Sequence, residues 1–189
     1  MQKAKIKVDI DNVLNSLTRS QFELHKERTG IDINYNDCVN YDYSGVGDKL
    51  TINALYEMFT DKELWDRLYP LPESQKYLKK MCDEFDVRIV TATDYRNFAW
   101  KIDWMKQYFP FVPEQNIFRV HDKEWIYSDY AIDDYQENLK GDGAHRILID
   151  SPWNKNERDD IYDFHRAKDL KEAYEIICKL EESNGGLAI

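Results

Sequence analysis

From residue 73 onward the chain alternates short apolar runs with helical patterns, and this rhythm restricts the fold more than any other feature. Leu78, Met81, Cys82 and Phe85 recur at i, i+3, i+4 and i+7, which predicts an amphipathic helix over 73–85. Residues 87–90 then read as a strand, and Phe98, Ile102, Met105 and Phe109 mark a second helix closed by Pro110. Further strands are expected at 116–120, 130–132 and 146–149, the last clear one. Asp169, with Glu172 three residues on, predicts the start of a final helix that carries Leu170, Ala173, Ile176, Ile177 and Leu180 and stops before Ser183-Asn184-Gly185-Gly186. Strands alternating with helices call for an α/β fold, a parallel sheet flanked by helices on both faces.

A further strand opens the chain, where Ile6, Val8 and Ile10 alternate with polar residues. It runs into Asp9 and Asp11. On extended backbone residues i and i+2 project to the same side, so both are expected to face whatever lies beyond the strand end. Two adjacent carboxylates repel, which raises one pKa unless a cation offsets the charge. Such a pair suits a metal ion, a nucleophile with a partnering acid, or both; alone it equally suits a solvated strand end.

Between this strand and the next, the sequence has no convincing strand. A helix is expected over about 15–29, stopped by Gly30, then an irregular stretch rich in Asn, Asp, Gly and Tyr. Two short helices follow, one on Leu50, Leu55 and Phe59, the other capped by Asp61 and carrying Leu64, Trp65 and Leu68. The expected organisation is a catalytic core of 1–17 and 73–189 with a helical cap insertion of 18–72, placed to act as a lid.

The 189 residues suffice for one such domain, and 42% hydrophobic with 33% charged residues is an ordinary globular composition. No run approaches the ~18 apolar residues of a membrane span. With Met1 leading directly into the first strand, no signal peptide is expected. Cys38, Cys82 and Cys178 are odd in number and widely separated, and read as reduced thiols in a cytoplasmic protein. The net charge of −10 argues against stable nucleic-acid binding by a broad basic face, but a few local cations could still hold a small anion.

Polar residues gather at one end of the predicted strands. Asp9 and Asp11 follow the first, Thr91 ends the second, Lys123 lies just beyond the third, and Asp133 and Asp134 end the fourth. In an open parallel sheet, ligands bind beyond the carboxyl ends of the strands. Four carboxylates could bind Mg²⁺ through oxygens, while a hydroxyl, backbone N–H groups and a lysine could hold a phosphate. Singly, Thr91 could be a helix N-cap, Lys123 a surface lysine, and Asp133-Asp134 a turn. Those readings do not explain why all four groups sit at the same end of successive strands.

The set Asp9-Ile10-Asp11-Asn12-Val13, Ile89-Val90-Thr91, Lys123 and Ile132-Asp133-Asp134 resembles the motifs of the haloacid dehalogenase-like phosphatase superfamily. Within it the chain is most similar to the 5'(3')-deoxyribonucleotidases. The shared features are a small helical cap ending in Trp65 and Leu68-Tyr69-Pro70-Leu71-Pro72, then Lys101 with Trp104, then Asp122-Lys123. There are two departures. Ala92-Thr93 stands where relatives have Ser-Pro or similar, leaving a backbone N–H and no side chain to contact phosphate at 92. Glu73 stands where animal enzymes carry Gly and is expected to alter only a turn.

The resemblance implies a Rossmann-like, haloacid dehalogenase-like fold with a cap inserted after the first strand. It implies a Mg²⁺-dependent phosphomonoesterase acting on small-molecule nucleoside monophosphates. Asp9 would be the nucleophile, forming an aspartyl-phosphate. Asp11 would protonate the leaving oxygen and then deprotonate water, a role that needs a pKa raised toward neutrality. Mg²⁺ would be held by Asp9, the Asp11 backbone carbonyl and one of Asp133 or Asp134, the other acid orienting a bound water. Thr91, Ala92, Lys101 and Lys123 would hold the phosphate. Phe22, Tyr41, Tyr43 and Trp65 are the cap's candidates for stacking on a base. His25, His121, His145 and His165 are read as structural or surface residues. The alternatives are a phosphatase for another small phosphate, such as a sugar phosphate, a non-catalytic phosphate-binding protein of the same fold, or a polynucleotide end-phosphatase, which the acidic balance disfavours. A homodimer is compatible with any of these.

Overall fold

A computed structural model of the chain describes residues 3–139, 145–155, 163–183 and 185. Six strands form one parallel sheet in the order β3-β2-β1-β4-β5-β6. They are β1 (Lys5–Val8), β2 (Asp86–Ala92), β3 (Ile117–Val120), β4 (Tyr130–Asp133), β5 (His145–Ile149) and β6 (Phe164–Ala167). The chain therefore begins mid-sheet, builds outward through β2 and β3, and returns to build the other half from β4. Strand order reverses between β1 and β4, and the crevice beyond their carboxyl ends is where such sheets bind ligands.

The central position of β1 follows from burial on both faces, which a parallel sheet covered by helices requires. Ile6 and Val8 are buried, as the alternation predicts, but so is Lys7, at 3% exposure. Its ammonium donates to the Lys123 carbonyl at 2.9 Å, so the polar half of the alternation is an internal brace and not a solvent face.

α4 (Ser74–Glu84), α5 (Tyr95–Tyr108) and α6 (Leu170–Ser183) flank the sheet. At the start of α6 the Asp169 carboxylate accepts from the Glu172 N–H at 2.9 Å, while Glu172 reaches back to the Lys168 N–H at 2.8 Å. Asn184 and Gly186 of the expected stop lie outside the described residues. The sixth strand was not expected. Phe164-His165-Arg166-Ala167 has neither an apolar run nor clean alternation. It is recruited by the exposed edge of β5, with Arg166 pairing across to Asp150 at 3.1 Å.

Between β1 and β2 lie α1 (Leu17–Thr29), α2 (Lys49–Met58) and α3 (Lys62–Arg67). α1 ends at Gly30, whose φ of 75° lets its N–H close onto the Lys26 carbonyl at 2.8 Å. Asp48 and Asp61 cap α2 and α3 by accepting backbone N–H groups. Leu50, one of the residues that suggested α2, is 76% exposed; Thr51, Leu55 and Met58 form the buried face. The two ends of this helical segment are bonded to each other. Ser16 N–H donates to the Tyr69 carbonyl at 3.1 Å, and Leu71 N–H donates to that of Leu14 at 2.9 Å.

Just past this neck, Glu73 has a φ of 64°. A side chain in left-handed backbone costs about 1–2 kcal/mol, while the Glu73–Lys76 ion pair at 3.0 Å is exposed and screened by solvent, so it offsets little of that cost. Glu73→Gly is therefore expected to stabilise the protein by up to about 1 kcal/mol after the extra chain entropy of glycine, raising Tm by about 2–4 °C. A thermal melt checks this, and an unchanged or lower Tm would contradict the strain.

Candidate active site

The chain leaves β1 at Val8, and the Asp9 N–H continues the ladder by donating to the Ile132 carbonyl at 3.0 Å. It then turns at once. Leu14 and Asn15 both donate N–H groups to the Ile10 carbonyl, at 2.9 and 3.1 Å. Asn12 takes a φ of 57°, a left-handed conformation that asparagine tolerates, and its Oδ1 accepts from the Thr18 N–H at 2.9 Å. Asp9 and Asp11 are therefore not side by side on extended backbone, as the spacing suggested. The turn sends Asp9 to Lys123 and Asp11 to Lys101.

Asp9, Asp133 and Asp134 offer carboxylate oxygens that all lie within 4.8 Å of one another, and all three residues are buried. The Lys123 ammonium sits 2.6 Å from Asp9 Oδ1 and 2.6 Å from Asp133 Oδ2. Burial pushes the Asp9 carboxyl up to about 6; Lys123 opposes this, and Asp133 and Asp11 add to it. Burial, then the charges of Asp133 and Asp9, hold Asp134 well above the usual carboxylate range. Burial alone would lower the Lys123 pKa, but Asp133 and Asp9 together raise it. Lys123 is thus no surface lysine, and Asp133-Asp134 is no solvated turn.

The two acids of that pair differ. Asp133 is engaged at both oxygens, by Lys123 on Oδ2 and by the Tyr135 N–H and Asn138 Nδ2 on Oδ1, at 3.1 and 3.0 Å. Asp134 Oδ2 is buried without a hydrogen-bond partner. Its main-chain carbonyl is clamped by Trp153 Nε1 at 3.1 Å and Asn154 Nδ2 at 2.8 Å.

On the other side of β1, Thr91 sits near the end of β2, buried. It is not the cap of α5; Asp94 is, accepting from the Arg96 N–H. Lys101 on α5 is 1% exposed. Its ammonium bonds to the Asp11 carboxylate and donates to Thr91 Oγ1 at 2.7 Å, and it lies 5.5 Å from the centre of the Trp65 ring. Asn15 Nδ2 holds the other Asp11 oxygen at 3.1 Å. The Asp11 carboxylate is thus outside the three-acid cluster.

A cavity of about 310 Å³ opens against Asp11, Ala92 and Thr93, within the ~300–1,000 Å³ of typical ligand pockets. Tyr41, Tyr43 and Trp65 line it, as expected. Phe22 is not among the lining residues. It is buried behind Tyr43, edge-on at 6.0 Å, because its position on α1 turns it to the helical core. Tyr56, Phe59, Trp153 and Asn97 also line the cavity and were not expected; the spacing of Asn97 four residues before Lys101, on one helix face, was the available signal. Tyr135, also unforeseen, stacks on Tyr41 with ring centres 3.7 Å apart. Tyr41 as a whole is 47% exposed, yet its hydroxyl is enclosed: burial first, then Asp134, Asp133, Asp9 and Asp11, push its pKa upward. A larger hollow of about 480 Å³ lies at the neck, bordered by Arg19, Tyr35, Asp150 and Lys168. It touches none of Asp9, Asp11, Asp133, Asp134, Lys101 and Lys123, so its size does not make it the candidate site. His25 is buried, while His121 and His145 are exposed.

A family model described as "5' nucleotidase, deoxy (Pyrimidine), cytosolic type C protein" matches residues 3–182. The chain belongs to this family. It is accordingly a nucleotide phosphomonoesterase. A 5'(3')-deoxyribonucleotidase of Clostridium acetobutylicum is 30% identical over 187 residues, covering 96% of this chain and 99% of that one. One of Bacillus subtilis is 34% identical over 109 residues, 57% of this chain and 63% of its own. Among solved structures, a haloacid dehalogenase-like hydrolase of Streptococcus pneumoniae aligns with a TM-score of 0.63 at 14% identity, over 93% of this chain and 98% of that one. A hydrolase of Bacillus subtilis described as bound to magnesium gives 0.61 at 14%, over 94% and 99%. At such identities these two speak for the fold.

The residues fit a hard divalent cation. Three carboxylates against the Lys123 ammonium leave an excess of two negative charges, and Asp134 Oδ2 is a buried oxygen lacking a partner. A carboxyl whose folded pKa exceeds its unfolded value binds its proton more tightly when folded, so it costs stability as pH rises through the folded value. Asp134→Asn is therefore expected to melt higher than the wild type without metal, with the difference growing between pH 5 and 8. Excess Mg²⁺ should raise Tm at pH 8 in the wild type and not in the variant. A metal-induced shift of equal size in both would remove Asp134 from the site.

Proposed function

We propose that the protein is a Mg²⁺-dependent enzyme that hydrolyses (deoxy)ribonucleoside monophosphates to nucleoside and phosphate through an aspartyl-phosphate on Asp9. The observation that carries this reading is one arrangement. Asp9 lies in the crevice between β1 and β4, ion-paired to Lys123, with Asp11, Lys101 and Thr91 linked beside it under an aromatic cavity.

An Asp9 oxygen attacks phosphorus, and the bond from phosphorus to the sugar oxygen breaks. Asp11 delivers a proton to that leaving oxygen. A water then attacks phosphorus, Asp11 takes its proton, and the bond between phosphorus and Asp9 breaks, which restores the Asp9 carboxylate and the protonated Asp11. Thr91 accepts from Lys101, so its own hydroxyl proton is free to donate to a phosphate oxygen, as is the Ala92 N–H. Lys101 and Lys123 balance the phosphate charge. Phosphoryl transfer depends mostly on such positioning and neutralisation, and the constellation includes no histidine. When bound by Asp9, the Asp11 carbonyl and Asp134, Mg²⁺ supplies further charge stabilisation for the phosphoryl oxygens. Asp133, engaged at both oxygens, orients its neighbours.

The segment 18–72 acts as the cap in this reading, with 1–17 and 73–189 as the core. The backbone pairing of Leu14 and Ser16 with Tyr69 and Leu71 makes a narrow joint about which it can move. Tyr41, Tyr43 and Trp65 supply faces for a base, which favours a nucleotide over a sugar phosphate. Among the described residues no helix is long and apolar enough to cross a membrane, and three cysteines without a disulfide accord with a cytoplasmic setting.

A panel of monophosphates with and without Mg²⁺ tests this directly. Deoxyribonucleoside monophosphates are expected to exceed sugar phosphates in kcat/KM, and activity should vanish on chelation. Asp9→Asn should lower kcat by at least about 10³-fold while leaving the circular dichroism spectrum unchanged. Sugar phosphates ranking above dUMP and dTMP, or turnover surviving in Asp9→Asn, would defeat the proposal.

A further inference from the structure

α5 presents two buried polar side chains on one face, four residues apart, and the mechanism above uses only the second. Lys101 reaches Asp11 and Thr91. Asn97, one turn nearer the helix start, is 3% exposed and lines the 310 Å³ cavity. Its Oδ1 is buried with no hydrogen-bond partner. Buried polar groups in folded proteins are nearly always satisfied, and those left over ask for an explanation. The backbone gives none: the Asn97 N–H is already used on the Asp94 carbonyl at 3.1 Å, in the first turn of the helix.

We infer that Asn97 is a substrate-binding residue whose amide oxygen accepts a hydrogen bond from the free sugar hydroxyl of the nucleotide. The inference rests on the proposed function, in which Thr91 and Lys101 mark where the phosphate sits. Residues i and i+4 of a helix are ~6 Å apart along its axis, so Asn97 stands about that far above the phosphate end of the cavity. Tyr43, Tyr56 and Phe59, from the helical segment, supply apolar lining to the same cavity. A nucleotide with its phosphate at that end and its base against this lining places its sugar between them, beside Asn97. The unpartnered atom is an acceptor, so it calls for a donor. In a deoxyribonucleoside 5'-monophosphate the sugar offers one donor, the 3'-hydroxyl; in a 3'-monophosphate it offers the 5'-hydroxyl. One acceptor at this height can serve either isomer, because the phosphate is fixed and the sugar turns about it.

The test compares kcat/KM for dTMP and for its 3'-deoxy analogue, each normalised to the same variant's rate on phenyl phosphate. The wild type is expected to prefer dTMP by about 3- to 10-fold, the span of one neutral hydrogen bond. Asn97→Ala should bring that ratio close to 1, mainly through KM. Asn97→Asp, which keeps an oxygen in place at nearly the same volume, should retain most of it even if its added charge slows every substrate. A loss in Asn97→Ala that falls equally on dTMP and the analogue assigns Asn97 to the base or to the scaffold and overturns the inference, as does a wild type indifferent to the hydroxyl. A wild type that turns over phenyl phosphate but neither nucleotide overturns the proposed function instead.

Discussion

Three buried carboxylates around one buried ammonium are the constraint on which the rest of this molecule depends. Taking like charges out of water is expensive, and the fold spends several of its polar contacts on holding them. Lys123 is kept in place from below, where Lys7 on the central strand binds its carbonyl. Asp133 is gripped through Tyr135 and Asn138, and the Asp134 carbonyl through Trp153 and Asn154. These supports come from both sides of β1, so the sheet cannot shift register without breaking them. The oxygen that no support reaches, Asp134 Oδ2, is also the one best placed for a cation.

The helical segment above the sheet is organised by the same centre. Its chain emerges from the turn that separates Asp9 from Asp11 and returns to the core within a few residues of the same place. The Tyr41 ring stacks on Tyr135, immediately after the two acids, and burial together with the charges of all four carboxylates raises its hydroxyl's pKa. Trp65 lies over the Lys101 ammonium. Contacts between the segment and the reactive groups are thus made by aromatic faces, which suit a flat ligand and adapt to its removal. Tyr43, with a φ of 60°, adds strained backbone at the cavity wall, where such strain commonly accompanies binding.

The meeting of these polar groups was legible because parallel sheets bring the ends of successive strands to one edge. Asp9, Thr91, Lys123 and Asp133-Asp134 each follow or end an apolar run, and that local pattern is enough to place them together. The elements that escaped have no such pattern. Phe164-His165-Arg166-Ala167 becomes a strand only because β5 offers it an unpaired edge. Lys7 looks like the outward half of an alternation and is an internal brace, since helices cover both faces of the sheet. Phe22 and Tyr43 are both aromatic residues of the same segment, and only packing turned one inward and the other to the cavity.

What the sequence determined by itself was the α/β class, the helical insertion after the first strand, and the gathering of Asp9, Thr91, Lys123 and Asp133-Asp134 at one edge of the sheet, all of which follow from short-range periodicity and from where polar residues interrupt it. Tertiary structure alone decided how those groups are paired. The tight turn at Asn12 gives Asp9 and Asp11 different cations, where their spacing left open a shared metal ion or two separate roles. Packing around the fourth strand leaves Asp134 with an unpartnered oxygen and Asp133 with none, and the Asn97 oxygen stays buried without a partner at the cavity's edge. Pairing depends on distances between residues tens of positions apart, and no local pattern in the chain carries that information.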